Sequence, residues 1–149
     1  MEAFEKIKKF LNERAIEYKI YNFDSNNENN EFDVNKCYKT IAFQYDGKFI
    51  FVCLKIKDSI DYNKLCLCLN IKRSELKKAD IKELEILFGY ESGGISPIPI
   101  SNKIQIFLDR KIQLEDNIFC GFGSKNKIME IKRNDLISLS TDIFDISKS

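Results

Sequence analysis

Asp46-Gly47 stands between two runs, Tyr38 to Tyr45 and Lys48 to Ile56, that are both rich in β-branched and aromatic residues. Aspartate followed by glycine accepts the two positive φ angles of a type I′ turn, whose twist matches that of paired strands. The segment predicts an antiparallel hairpin. A chain that contains it must build a sheet, and its other elements have to cover that sheet.

Those elements are legible from their periodicity. Phe4, Ile7, Phe10 and Leu11 recur at helical spacing among charged residues, which predicts an amphipathic helix over 2–15. Glu17 to Phe23 alternates as a strand, with Tyr18, Ile20 and Asn22 opposite Lys19, Tyr21 and Phe23. Asp24 to Glu31 is Asn-rich and has no apolar period, so a flexible exposed loop is expected there and onward to near residue 36. Asp61 can cap a helix from Tyr62 to Leu69 that ends at Asn70. Asp80 can cap another from Ile81 to Phe88, with an apolar stripe of Ile81, Leu84, Leu87 and Phe88 and a stop at Gly89. Lys103 to Leu108, Asn117 to Gly121 and Lys127 to Ile131 read as strands, and Arg133 or Asn134 opens a last helix containing Leu136, Ile137 and Leu139. This order lacks regular βαβ alternation. It predicts one α+β domain over 1–149, with a mixed, mainly antiparallel curved sheet or barrel-like core surrounded by helices.

Composition narrows the chemistry. The 149 residues include no histidine, which removes the commonest general base near neutral pH and with it Ser-His-Asp, Cys-His and His-containing zinc arrangements. Five cysteines, an odd number behind a charged start that is no signal peptide, read as reduced thiols in a cytoplasmic protein. Cys66 and Cys68 are too close for the usual zinc spacing, so neither a metal nor another cofactor is expected. Cys53, Cys66 and Cys68 lie in apolar runs and read as core packing, and Cys120 beside Gly121 is as well explained as inert. No apolar run is long enough for a membrane helix, and a net charge of +1 provides no broad basic surface for a DNA duplex. A small footprint on a nucleic-acid end stays open. Lys72, Arg73, Lys77 and Lys78 form a basic cluster diluted by Glu75, Asp80 and Glu83, which reads as a solvated face.

Gly89-Tyr90-Glu91-Ser92-Gly93-Gly94-Ile95-Ser96-Pro97-Ile98-Pro99 gathers half of the six glycines and both prolines, so it is a shaped loop. It is not a Walker or Rossmann phosphate loop, because the spacing and the following Lys-Ser/Thr are missing. Taken with Cys37-Tyr38-Lys39-Thr40-Ile41 and with Asp61 through Asp80, in that fixed order, it resembles the YbaK/EbsC family, relatives of the editing insertion of bacterial prolyl-tRNA synthetase. Asp109 after a strand adds to the likeness. One departure is plain: many members carry a further helix, part of a pocket wall, where this chain has the Asn-rich loop and Glu31-Phe32-Asp33-Val34.

The resemblance implies a trans-editing aminoacyl-tRNA deacylase, a hydrolase that clears mischarged tRNA(Pro), with Cys-tRNA(Pro) preferred over Ala-tRNA(Pro). It implies the aminoacyl-tRNA acceptor end as partner, and prolyl-tRNA synthetase as a candidate second one. It also implies catalytic roles for Lys39, as an electrostatic clamp, and for Gly93 and Gly94, as backbone donors at the scissile bond. Tyr90, Ile95, Ser96, Pro97 and Gly121 then complete the substrate surface, and Tyr21 and Phe23 offer flat rings for the terminal adenine. Taken alone, a lysine at a strand start is a solvated residue and a Gly-Gly turn is only a turn. Cys37, two residues before Lys39, would share its face of the strand, where the lysine could lower the thiol's pKa, although a buried structural cysteine is the better reading. A non-catalytic module binding tRNA or a synthetase, and an enzyme acting on another acyl ester, are the competing functions.

Overall fold

The structure, a computed structural model, describes residues 1–23 and 32–148. The chain runs α1 (Ala3–Glu13), β1 (Tyr18–Asn22), β2 (Tyr38–Tyr45), β3 (Lys48–Lys55), α2 (Tyr62–Leu69), β4 (Lys77–Lys78), α3 (Ile81–Phe88), β5 (Ile104–Asp109), β6 (Asn117–Gly121), β7 (Lys127–Lys132), α4 (Arg133–Leu139) and β8 (Asp142–Phe144). The expected Asn-rich loop over 24–31 lies outside the described residues. Residues 33–37 just after it are a capped turn: Asp33 accepts the Asn35 amide at 2.9 Å and opens a 3-10 turn at Val34–Lys36.

Asp46 and Gly47, at φ 50° and 75°, make the hairpin turn, and β2 and β3 pair antiparallel from Tyr45↔Lys48 to Tyr38↔Lys55 without a break. Phe49 to Leu54 are all buried because β3 is the central strand of a five-stranded sheet in the order β4-β2-β3-β5-β8. Phe49, Phe51 and Cys53 enter one hydrophobic cluster, and Ile50, Val52 and Leu54 enter another on the opposite face. The sheet is mixed, since β3 pairs β5 and β5 pairs β8 in parallel while β2 pairs β3 and β4 antiparallel.

A second sheet, β1-β7-β6, is antiparallel throughout. Its Ile118, Cys120, Met129 and Ile131 share the larger core cluster with Ala3, Ile7 and Leu11 of α1 and Leu84 and Phe88 of α3. Among the described residues, one parallel bridge, Cys37↔Phe119, joins the two sheets at the start of β2, and their strands do not close into a barrel. Leu65 and Cys66 of α2 pack on the far face with Leu76, Phe107 and Ile146.

The capping expectations match local geometry. Asp61 accepts the Lys64 amide and Asp80 the Lys82 amide, while Asn70 and Gly89 take the left-handed conformation after each helix. Two side chains differ from expectation. Cys68 is exposed rather than in the core, because two residues along a helix turn it about 200° from Cys66. Leu87, counted in the apolar stripe, is 42% exposed, and α3 buries only Leu84 and Phe88.

Asp109 is a structural carboxylate. Fully buried at the end of β5, it accepts the amides of Ile146 (2.9 Å) and Ser147 (3.0 Å) and the Ser147 hydroxyl (3.3 Å). It ties the C-terminal segment across the sheet.

Candidate active site

Three segments meet where β2 begins. The first is the entry to β2: the 3-10 turn at Val34–Lys36 delivers Cys37, whose carbonyl accepts the Ile56 amide at 3.0 Å, and Lys39 follows opposite Leu54. Lys39 is half-buried, and among the described residues its ammonium meets no carboxylate.

The second segment is the glycine loop. The Gly94 amide donates to the Glu91 carbonyl at 3.1 Å, which closes a four-residue turn with Gly93 third at φ 83°, the type II pattern that calls for glycine there. Tyr90 is fully buried behind the turn, in edge contact with Phe51, and its hydroxyl donates to the Ser96 carbonyl at 3.4 Å.

The third segment is the connection from β6 to β7. The Gly123 amide donates to the Gly94 carbonyl at 2.7 Å, the Lys125 amide to Glu91 Oε1 at 2.7 Å, and the Phe23 amide to the Asn126 carbonyl at 2.7 Å. Gly121 makes the close fit possible: a Cβ there would run into the Ile95 carbonyl oxygen. Four hydrogen-bonded or touching pairs therefore lock the walls together.

Between these segments lies a cavity of about 240 Å³ lined by Phe23, Val34, Cys37, Tyr38, Lys39, Thr40, Ile56, Gly93, Ile95, Gly121, Lys125 and Ile128. It is smaller than the roughly 300–1,000 Å³ of a drug-sized site, so it suits a small group at the end of a larger ligand. Among the described residues that line it, the charged ones are the two lysines, so this lining is cationic. A larger groove of about 560 Å³ between α1 and residues 99–104 holds none of the expected site residues. The cations there are partly engaged, with Arg14 stacked 3.5 Å over the Phe10 ring and Lys9 within 4.0 Å of Glu13.

The cavity thus brings together Lys39, Gly93, Ile95, Gly121 and Phe23. Gly94, Ser96 and Pro97 are buried behind the loop, with Tyr90, and do not line it. The Gly94 amide is already bonded, whereas that of Gly93 has no acceptor among the described residues. Tyr21 also does not line the cavity. Its ring lies 5.6 Å from Phe32 and 6.0 Å from Phe119, and its hydroxyl donates to Glu130 at 2.7 Å. Sequence reasoning missed Val34 and Lys125. Gly121-Phe122-Gly123-Ser124-Lys125, a second glycine turn ending in a cation, was the available signal for Lys125.

The thiols here stay protonated. Burial, and then the Asp33 charge, push Cys37 up to about 11, and its Sγ lies 3.9 Å from the Asp33 carbonyl. The lowering by Lys39 that a shared strand face suggested is absent: burial of the thiol and the Asp33 charge both act to raise its pKa. Burial pushes Cys53 up to about 12 and Cys120 well above its ordinary value. None of the three is poised as a nucleophile.

An α+β fold with a small, cationic, histidine-free cavity walled by two glycine turns defines a domain suited to holding an activated ester by position and charge. The chain belongs to the aminoacyl-tRNA editing domain family, the YbaK family, whose profile matches residues 19–139. It is a hydrolase of the aminoacyl-tRNA ester bond, with aminoacyl-tRNA as its substrate class. Among solved structures, a scaffold protein used for epitope backbone grafting by computational design has a TM-score of 0.82 at 15% identity, covering 99% of this chain and 97% of that one. A protein described as a candidate trans-editing enzyme for prolyl tRNA synthetase has a TM-score of 0.81 at 15% identity, covering 99% and 98%. A candidate signal transduction protein from Marinobacter aquaeolei has a TM-score of 0.74 at 12% identity, with this chain matching 31% of its length. No curated protein sequence matches the chain. No helix among the described residues is long and apolar enough to cross a membrane.

Proposed function

We propose that this chain edits in trans, clearing mischarged tRNA(Pro), with the cysteinyl ester as preferred substrate and the alanyl ester as the alternative. The observation that carries this reading is that one small cavity is lined by both Lys39 and Gly93, whose ammonium and amide have no partner among the described residues. An aminoacyl ester is already activated, so the protein has only to orient it and stabilise charge on its carbonyl oxygen. Lys39 supplies the positive charge and Gly93 the backbone donor. Gly94, with its amide committed to Glu91, keeps the loop in shape.

For a cysteinyl substrate the nucleophile is the substrate's own thiol. Its sulfur forms a bond to the carbonyl carbon, the carbon–oxygen bond to the ribose breaks, and the thiol proton passes to the ribose oxygen. The high thiol pKa values of Cys37, Cys53 and Cys120 favour this route over a protein nucleophile. Phe23 offers its ring to the terminal adenine, and a cytoplasmic setting with prolyl-tRNA synthetase nearby goes with the same reading.

Part of the region expected to lack a wall does line the cavity, through Val34, and Phe32 packs behind it against the lining residue Phe23, with ring centroids 6.0 Å apart. That favours an enzyme over an open binding module. The test is a deacylation panel: tRNA(Pro) charged with cysteine or alanine, alongside other aminoacyl-tRNAs, incubated with the wild type and with Lys39→Ala. Turnover of Cys-tRNA(Pro) that falls at least tenfold in the variant supports the reading, and binding without turnover of any substrate overturns it.

A further inference from the structure

The connection from β6 to β7 is the node at which the cavity's walls are joined. Its Asn126 carbonyl holds Phe23, its Gly123 amide holds Gly94, and its Lys125 amide holds Glu91. Within the connection, the Asn126 amide donates to Ser124 Oγ at 3.4 Å and the Lys127 amide to the Ser124 carbonyl at 3.2 Å. Lys125 therefore projects from a backbone that is fixed on both sides. Its Cβ lies 3.7 Å from where a side chain on Gly93 would begin, and its ammonium has no carboxylate among the described residues.

A surface lysine is usually a solvated charge. Three observations set this one apart: it lines the cavity, it faces the turn that carries the proposed oxyanion donor, and its backbone is held by a carboxylate whose charge is spent on an amide instead of on the ammonium. We infer that Lys125 is a second anion contact of the site, binding a phosphodiester of the single-stranded acceptor end while Lys39 serves the reacting ester. The inference rests on the editing reading and adds to it a division of labour between two lysines. Lys125 is a binding residue here, so its loss acts on affinity and leaves the bond-breaking step intact.

The experiment uses a non-hydrolysable 3′-amide analogue of aminoacyl-tRNA(Pro), with binding measured between low and moderate salt for the wild type, Lys125→Ala and Lys125→Arg. Loss of one phosphate contact on a single strand lowers the slope of log affinity against log salt by about 0.7. Lys125→Ala is expected to show that change, to bind up to about fivefold more weakly at moderate salt, and to raise KM with kcat retained. Lys125→Arg keeps the wild-type slope. An unchanged slope and KM in Lys125→Ala, with the wild type binding and turning over normally, overturns the Lys125 assignment alone. Failure of the wild type to bind the analogue overturns the editing reading and this inference with it. The backbone hydrogen bond to Glu91 survives both substitutions, so matching thermal melts are expected as the folding control.

Discussion

Glu91 Oε1 accepts the Lys125 backbone amide at 2.7 Å, across 34 residues of sequence. The Glu91 carbonyl also accepts the Gly94 amide, so one residue braces both glycine turns that wall the cavity. Glu91→Ala removes the longer-range brace at about 1 kcal/mol, the usual net worth of one partly exposed hydrogen bond. Activity on a mischarged tRNA is expected to fall about fivefold in the variant. Glu91→Gln keeps an acceptor oxygen and is expected to recover most of the loss. Equal kcat/KM for Glu91→Ala and wild type would show that the two turns hold without it.

Among the described residues, the Asp109 carboxylate alone accepts the Ile146 and Ser147 amides. Asp109→Ala leaves both donors buried and unsatisfied, each costing about 1–3 kcal/mol. Urea unfolding followed by circular dichroism should show a loss of about 3 kcal/mol. Asp109→Asn, which keeps one acceptor oxygen, is expected to lie between. A wild-type midpoint in Asp109→Ala would sink the structural role assigned here.

At Gly121 a methyl group would meet the Ile95 carbonyl, a backbone atom that cannot rotate away. Gly121→Ala should cost about 1–3 kcal/mol as overpacking and shift the glycine loop against the cavity. Because the strain falls on the loop, kcat is expected to drop more than stability alone explains. The check is to assay both below the variant's unfolding temperature; a fully active variant would contradict the close fit.

The buried thiols set a limit at high pH. Folding pushes Cys37 up to about 11 and Cys53 up to about 12 from an ordinary 9.0. As pH rises past about 9, the unfolded chain loses these protons while the folded chain keeps them, so the contribution is whole below pH 9 and is lost on the way to 11 and 12. Burial of Tyr38 and Tyr90 raises their hydroxyl pKa values and acts in the same direction. The urea midpoint should therefore fall between pH 9 and 12, with a shallower fall in Cys53→Ala. A midpoint that is flat over that range would refute the linkage.

Thiol accessibility supplies an independent check on the packing. Cys68 is exposed, and Cys37, Cys53, Cys66 and Cys120 are buried. An aromatic disulfide reagent at pH 8 should modify one thiol rapidly in the native protein and none rapidly in Cys68→Ser. Rapid reaction of a second thiol would mean that the packing around one of these buried cysteines opens.

The elements legible in the sequence are those whose cause is local. Asp46-Gly47 reports its own turn, and Asp61, Asn70, Asp80 and Gly89 report helix ends because each bonds or bends within a few residues of itself. Lys39 and the turn at Gly93 were readable for a different reason, a resemblance carried by ordered motifs. What the tertiary structure alone decided involves partners far apart in the chain. The short strands β4 and β8 exist only because β2 and β5 offer them a pairing edge. Besides the local Lys111 amide, Asp109 finds donors 37 and 38 residues away. The Gly94 amide is spent within its own turn, yet the loop's place in the cavity depends on Gly121 and Gly123, and Lys125 is held at the site by bonds to Glu91, Gly94 and Phe23 from its own connection. Propensity and capping act over one or two turns of chain, whereas a cavity forms where distant segments are held together, and only packing sets which residues those are.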